Sequence, residues 1–204
     1  MTNSREPALV RITDPLAIRA LAHPARMTVI DALYARRTSM TSTQLATMTG
    51  LSPSAMSYHL RSLERFGLVR RATTPGDGRE QPWIRAARSL TVTPKAGDVS
   101  RATRAATGAL IATAMERDQI GILAAQERKA RGDSSVPLDA ATGFSRRTLI
   151  VTVKEAQKLS RAFNELLEPF LEEHRSVVPA GAGRINWSSA VVPDDTYTSW
   201  PPKT

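Results

Sequence analysis

Serine, tyrosine and arginine recur on a helical beat between residues 54 and 65. At about 100° per residue, Ser54, Ser57, Tyr58, Arg61 and Arg65 fall on one side of a helix. Hydroxyls, a phenol and guanidinium groups gathered in this way donate to phosphate oxygens and reach base edges in a major groove. No carboxylate is expected on that face. Met56, Leu60 and Leu63 fall on the opposite side and supply a packing face. Ser52 suits the N-cap, and Pro53 suits the first helical position, where a missing N–H costs nothing.

Such a face works only if neighbouring elements hold it. Upstream, residues 41–46 begin a short helix with a hydroxyl cap, and Gly50 offers a left-handed exit from it. Helix, glycine turn and second helix then follow in about two dozen residues, the spacing of a helix-turn-helix. Thr43 on the first helix and Ser52 at the cap of the second join the candidate DNA-contacting residues. Downstream, Gly67 ends the second helix, residues 68–73 read as a strand, and residues 83–86 read as its return. The loop between them, Pro75-Gly76-Asp77-Gly78-Arg79, is a wing tip that would carry Arg79 to a minor groove or its phosphates.

This ordered set resembles the ArsR-like family of winged helix-turn-helix transcriptional regulators. The resemblance rests on residues 20–26 (ALAHPAR), Leu51-Ser52-Pro53-Ser54, residues 57–63 (SYHLRSL), Gly67-Leu68-Val69 and Gly78-Arg79, and it covers residues 14 to 90. MarR-like and PadR-like regulators share the architecture. The resemblance implies a homodimer that places one recognition helix per subunit in successive major grooves. It matches Ser54, Ser57, Tyr58 and Arg61 to the positions that face DNA. Many ArsR-like sensors hold metals through cysteines in the helix before the recognition helix. This chain has no cysteine at all, and its Thr43–Met48 stretch offers no thiolate.

The charge distribution agrees with a polyanionic partner. The chain carries 28 Lys and Arg against 19 Asp and Glu, a net +9. Residues 1–93 hold 13 basic and 6 acidic side chains, whereas residues 94–175 hold 13 and 11. The positive field therefore belongs to the winged half, where it raises phosphate affinity and makes binding salt-sensitive.

Other classes of function lack residues to carry them. His23, His59 and His174 are far apart in sequence and form no metal-ligand spacing, so no metal and no cofactor is expected. His59 reads as a structural side chain near the packed edge, His23 as a turn residue, and His174 as a helix C-terminal cation. No phosphate-binding loop, nucleophile elbow or cysteine nucleophile appears, and Glu172 and Glu173 read as a solvated helix end, so no enzyme is expected. No apolar run approaches a membrane span and no signal-peptide pattern is present, which leads to the expectation of a cytoplasmic protein.

The remainder of the chain is read for assembly and regulation. Residues 1–13 form an N-terminal arm, polar until Leu9, that is either partly disordered or ordered against a partner subunit. Two helices split at His23-Pro24 bring Leu16, Leu21, Met27, Ile30 and Leu33 to the winged domain, residues 14–93. Residues 94–131 read as one long dimerisation helix, with a stripe of Val99, Ala102, Ala106, Leu110, Ile111, Met115 and Ile122. Residues 137–175 read as a strand at 147–152 followed by a helix capped by Thr152 and Glu155, a pattern loosely similar to extensions in an actinobacterial-type branch of ArsR-like regulators. The helix stripe of Leu159, Phe163, Leu166, Leu167, Phe170 and Leu171 either packs as ordinary core or lines a second dimer surface or a pocket for a small apolar effector. Pro169 would end or kink that helix. Residues 176–204 form an irregular tail that Trp187, Tyr197 and Trp200 would anchor.

The expected fold is mainly α with a small β-wing: a winged helix-turn-helix, a long helix and a C-terminal α+β extension. The expected function is a homodimeric, sequence-specific regulator of transcription, a repressor binding a palindromic operator in double-stranded DNA. The alternative is a winged-helix interaction module whose basic surface meets an acidic protein.

Overall fold

The computed structural model describes residues 7, 9–36, 38–72, 81–98, 100–171, 177 and 179–193. The chain divides into two compact units, Met1–Gly121 and Ile122–Thr204. The first contains β1 (Leu9–Ile12), α1 (Pro15–Leu21), α2 (Pro24–Arg36), α3 (Ser42–Thr49), α4 (Pro53–Arg65), β2 (Val69–Arg71), β3 (Trp83–Arg85) and β4 (Ser89–Val92). Helix α5 (Arg101–Ala130) begins in the first unit and ends in the second. The second unit also holds a short 3-10 turn, Pro137–Ala141, then α6 (Val153–Leu167) and a 3-10 turn at Glu168–Phe170. The protein is thus mainly helical with small sheets, a winged helix-turn-helix followed by a long helix.

One core organises the winged unit. Ile18, Val29, Leu33, Met56, Leu60, Leu63, Leu68 and Trp83 have no solvent exposure, and Leu45 and Val69 have almost none. Burying a side chain of this size contributes about 1.5–3 kcal/mol, so α1, α2, α3, α4 and the β2–β3 hairpin are held by one shared apolar interior. Leu21 and Leu33 are buried as expected, and Met27 and Ile30 are half-buried. Leu16 is 62% exposed, a correction. It sits at the start of α1 beside the Asp14 cap, and the helix turns Ala17, Ile18 and Leu21 inward instead.

The wing is built as an antiparallel pair, with Val69 opposite Arg85 and Arg71 opposite Trp83. Met40 adds a third edge by bridging Trp83, with backbone N–O distances of 2.9 and 2.7 Å. The wing tip, including Arg79, lies outside the described residues.

The N-terminal arm departs from expectation. Leu9–Ile12 orders against its own chain, pairing in parallel with β4 so that Leu9 faces Ser89 and Ile12 faces Val92. Both segments are rich in β-branched and aliphatic residues, and each satisfies the other's backbone groups.

Helix α5 starts at Arg101, seven residues after Pro94. Gly97 has φ 79°, and a polar turn caps the helix: Asp98 accepts from the Ser100 amide and, at 2.6 Å, from the Thr103 hydroxyl, while Ser100 Oγ accepts from the Thr103 amide. The expected stripe is only partly packed. Ala106 is buried and Leu110 and Ile122 are half-buried, but Ala102, Ile111 and Met115 are exposed, and Val99 lies outside the described residues. Arg117 joins α5 to α2 through Asp31 at 2.6 Å.

In the second unit, residues 147–152 form no strand. They are extended in composition but exposed, because none of the described segments of the chain offers them a ladder. The cap is as expected: Thr152 Oγ1 accepts from the Glu155 amide, and Glu155 accepts from the Thr152 amide. The helix ends at Leu167, and Pro169 opens the 3-10 turn that follows. No residue of α6 is buried, so its apolar stripe is not packed as core by the described residues of its unit. Arg128 grips Asp139 with two hydrogen bonds of 2.6 and 2.8 Å, and Trp187 lies against Phe163 with ring centroids 5.9 Å apart. Tyr197 and Trp200 lie outside the described residues.

Candidate nucleic-acid interface

The geometry of the candidate site begins with how α3 and α4 are stopped and started. Thr41 caps α3 in a reciprocal box with Gln44, at 3.1 and 2.9 Å. Gly50 ends α3 with φ 68°, a left-handed conformation that a side chain would strain. The Leu51 amide then returns to the Ala46 carbonyl at 3.1 Å, closing the turn. Ser52 caps α4 by accepting from the Ala55 amide at 3.2 Å, with Pro53 in the first turn. The two ends of the turn are therefore set by Gly50 and Ser52, and the direction of α4 is fixed locally.

Packing fixes its rotation. Met56, Leu60 and Leu63 have no exposure, while Ser54, Tyr58, Arg61 and Arg65 are exposed and Ser57 is half-exposed. Tyr58 is 67% exposed, a large solvent fraction for an aromatic ring that has an apolar core available a few ångströms away. The outer groups are partly pre-set. Ser52 and Ser54 hydroxyls lie 3.0 Å apart, Ser57 donates to the Pro53 carbonyl at 2.8 Å, and Arg61 Nε donates to the Ser57 carbonyl at 3.2 Å. The last bond uses one nitrogen of an exposed guanidinium and leaves its two terminal amino groups for other acceptors, a fork suited to a phosphate or a guanine edge. Arg65 lies over the Phe66 ring at 5.7 Å. Thr43 is exposed on α3, and its carbonyl accepts from Thr47.

The expectation of a face without carboxylates holds for the first two turns only. Glu64 is exposed, and helical rotation brings it within about 20° of Ser57. The outer face therefore carries Arg61, Glu64 and Arg65 together in the C-terminal half of α4.

Behind the face lies a cluster that sequence spacing does not reveal. His23, at the start of α2, and His59, on α4, have ring centroids 4.5 Å apart, and Tyr58 meets His59 edge-on at 5.6 Å. His23 Nδ1 accepts from the Ala25 amide at 3.2 Å, so it serves the turn as expected. Arg26 donates to Ser62 at 2.9 Å, joining α2 to α4. Among the described residues, His59 Nδ1 and Arg26 Nε are buried without a hydrogen-bond partner. Burial holds both imidazoles below their ordinary range. Arg26 lowers both further, and His23 lowers His59. The recognition face thus rests on neutral imidazoles beside one cation.

The base of the wing contributes a second feature. Trp83 donates from Nε1 to Ser42 at 3.1 Å, and the Arg71 guanidinium lies 3.7 Å over its ring while donating to the Gln81 carbonyl at 2.8 Å. One aromatic side chain thereby ties α3 to the hairpin and holds a cation on the wing. An Arg at the end of the first strand and a Trp at the start of the return were the sequence signal for this pair.

No group of three or more His, Cys, Asp or Glu side chains gathers as a metal site among the described residues. No described helix is long and apolar enough to cross a membrane. His174 lies outside the described residues.

Residues 21–72 match a helix-turn-helix domain family, a span that runs from the end of α1 to the first strand of the wing. No curated protein matches the chain. Among solved structures, the apo form of a ZitR mutant from Lactococcus lactis is similar at 15% identity and TM-score 0.32, over 74% of this chain and 84% of that one. A MarR family protein of Mycobacterium tuberculosis, in complex with salicylic acid, is similar at 18% identity and TM-score 0.30, over 74% and 85%. YusO of Bacillus subtilis is similar at 14% identity and TM-score 0.30, over 76% and 83%. Superpositions at this level relate elements of the chains and carry no argument about what this one binds.

Proposed function

We propose that this chain is a sequence-specific DNA-binding regulator of transcription that acts as a homodimeric repressor on a palindromic operator. The observation that carries this reading is α4 itself: three side chains with no exposure pin one face, and Ser54, Ser57, Tyr58, Arg61 and Arg65 occupy the other. The match of residues 21–72 to a helix-turn-helix domain and the basic excess of residues 1–93 support it. The resemblance to ArsR-like regulators supports it further and suggests one α4 per subunit in successive major grooves, about one helical turn apart. Ser52 and Thr43 flank that face and contact the backbone, and Arg79 reaches the minor groove from the wing. Binding rather than catalysis is the activity, and the cytoplasm is where a chromosomal operator is met.

Helix α5 serves the dimer in this reading, through exposed Ile111 and Met115. The C-terminal extension serves either the dimer or an apolar effector.

The test is a titration of the protein against labelled DNA from its own upstream region and against a scrambled duplex, at two salt concentrations, read by fluorescence anisotropy. Preference for the native fragment that survives the higher salt is the expected result. Equal binding to both, erased by salt, would remove sequence-specific regulation and leave the interaction module with an acidic partner.

A further inference from the structure

Helix α4 is seated on two histidines whose contacts suit only uncharged rings. His23 stands just before Pro24, the first residue of α2, and its Nδ1 accepts from the Ala25 amide at 3.2 Å. A nitrogen that accepts carries no proton, so this bond exists only with a neutral ring. A proton added there would set one N–H against another, at a helix N-terminus whose dipole already disfavours positive charge. His59 packs its ring against that of His23, with centroids 4.5 Å apart, and buries an Nδ1 that has no partner among the described residues. An imidazolium at His59 would present a charged donor with no acceptor, a costlier orphan than a neutral nitrogen.

The surrounding charges do not compensate. From α2, Arg26 bears on both rings while it donates to Ser62 at 2.9 Å, and its own Nε is buried without a partner among the described residues. From α4, Tyr58 meets His59 edge-on at 5.6 Å. Helix α1 brings Arg19, strands β2 and β3 bring Arg70, Arg71 and Arg85, and α3 has no charged residue. The two acids on the packed helices are placed elsewhere: Asp31 meets Arg117 at 2.6 Å, and Glu64 is exposed near the end of α4. An imidazolium in this cluster therefore meets a guanidinium and no carboxylate.

The same cluster underlies part of the DNA-facing surface. Tyr58, exposed on that surface, rests its ring on His59, and the Arg26–Ser62 bond ties α2 to α4 one turn further on. A shift in the His23–His59 contact is felt at Tyr58 and in the rotation of α4. We infer that His23 and His59 are positioning residues for recognition: the uncharged ring pair seats α4 so that Tyr58 meets base edges, and a proton on the pair unseats it. Acid then erases discrimination between sequences and leaves the attraction to phosphate intact, because the charge it adds is positive. This rests on the DNA-binding reading above and adds to it the residues that set the geometry of the face.

The experiment measures the full chain's affinity for DNA from its own upstream region relative to a scrambled duplex, at constant salt, from pH 7 to pH 5. The wild-type ratio should fall about threefold or more, while affinity for the scrambled duplex holds or rises. His23→Asn keeps an acceptor that can cap α2 and removes one imidazole. Combined with His59→Gln, it should give a ratio that no longer changes with pH. A purely structural role would lower affinity at every pH and leave the slope as it was, which overturns the inference. Without DNA, the isotope-labelled ring resonances of His59 and Tyr58 in the wild-type chain should shift together, with a midpoint below 6.5. A Tyr58 ring indifferent to that titration also overturns the inference. A chain whose preference is equal at pH 7 and pH 5 keeps the regulator reading and loses this one; a chain without preference at any pH, whose Tyr58 still follows His59, loses the regulator reading and keeps the seat.

Discussion

Helices α4 and α6 are built on the same plan and end in different surroundings. Each is opened by a hydroxyl cap and carries an apolar stripe at three- and four-residue spacing. In α4 the stripe has no exposure at Met56, Leu60 and Leu63, while in α6 no residue is buried. An amphipathic pattern therefore states that a face must be covered and does not state by what. For α4 the cover is supplied by α1, α2, α3 and the hairpin of the same unit. For α6 the described residues of its own unit leave the stripe largely exposed.

The largest effect that could break this contrast is a truncation in each stripe. Leu60→Ala should cost the winged unit about 2–5 kcal/mol, read from urea unfolding. Leu166→Ala should move the same transition by less than about 0.5 kcal/mol. Equal losses would mean that the two faces are covered alike.

A cation on each helix sharpens the comparison functionally. Arg61→Ala should reduce operator affinity by about 1–3 kcal/mol and relax the preference at one base position. Arg161→Ala should leave DNA affinity near the wild-type value. If Arg61→Ala weakens every sequence equally, Arg61 contacts phosphate rather than a base.

The caps come next. Thr41→Ala and Thr152→Ala each remove a hydroxyl that accepts from a backbone amide, an effect of about 1 kcal/mol. The first should lower the melting temperature of the winged unit. The second should instead reduce helical circular dichroism and leave that melting temperature in place. A Thr152→Ala variant that lowers the winged unit's melting temperature would mean that the two caps do not act on separate units.

The smallest effect expected is one of pH. His23 and His59 titrate below their ordinary 6.5 in the folded unit because burial and Arg26 disfavour the imidazolium. The stability they contribute is complete above that value and is lost as pH falls through the lowered folded values. In the second unit the Asp139 carboxyl is held below its ordinary 3.8 by the Arg128 hydrogen bonds, so its contribution persists to more acid conditions. Thermal melts from pH 7 to pH 5 should show the winged unit weakening first, and His59→Gln should flatten that dependence. An unchanged slope in the variant would place the titrating group elsewhere.

Much of the recognition element was legible because its determinants are local. Ser52, Pro53, Gly50 and the Met56, Leu60, Leu63 phase all act within a turn or two of themselves, and the structure places each as its chemistry requires. What was not legible depends on distant partners. The pairing of Leu9–Ile12 with Ser89–Val92 joins segments that no local pattern connects. The His23–His59 contact joins α2 to α4, and neither residue's neighbours announce it. Residues 147–152 have the composition of a strand, and composition cannot supply a neighbour to pair with. Leu16 failed for a simpler reason, a helical phase set by the Asp14 cap rather than by the largest apolar side chain.

The parallel ladder between β1 and β4 also sets a timetable for synthesis. Leu9 leaves the ribosome before helices α1 to α4, yet its partner Ser89 is made only after all four of them. The helical core can gather while translation continues, but the clasp that binds the unit's entry to its exit must wait for residue 92 to emerge. Until then the nascent chain carries a four-residue segment, three of whose side chains are aliphatic, without its strand partner, and the last act of closing this domain belongs to its first element.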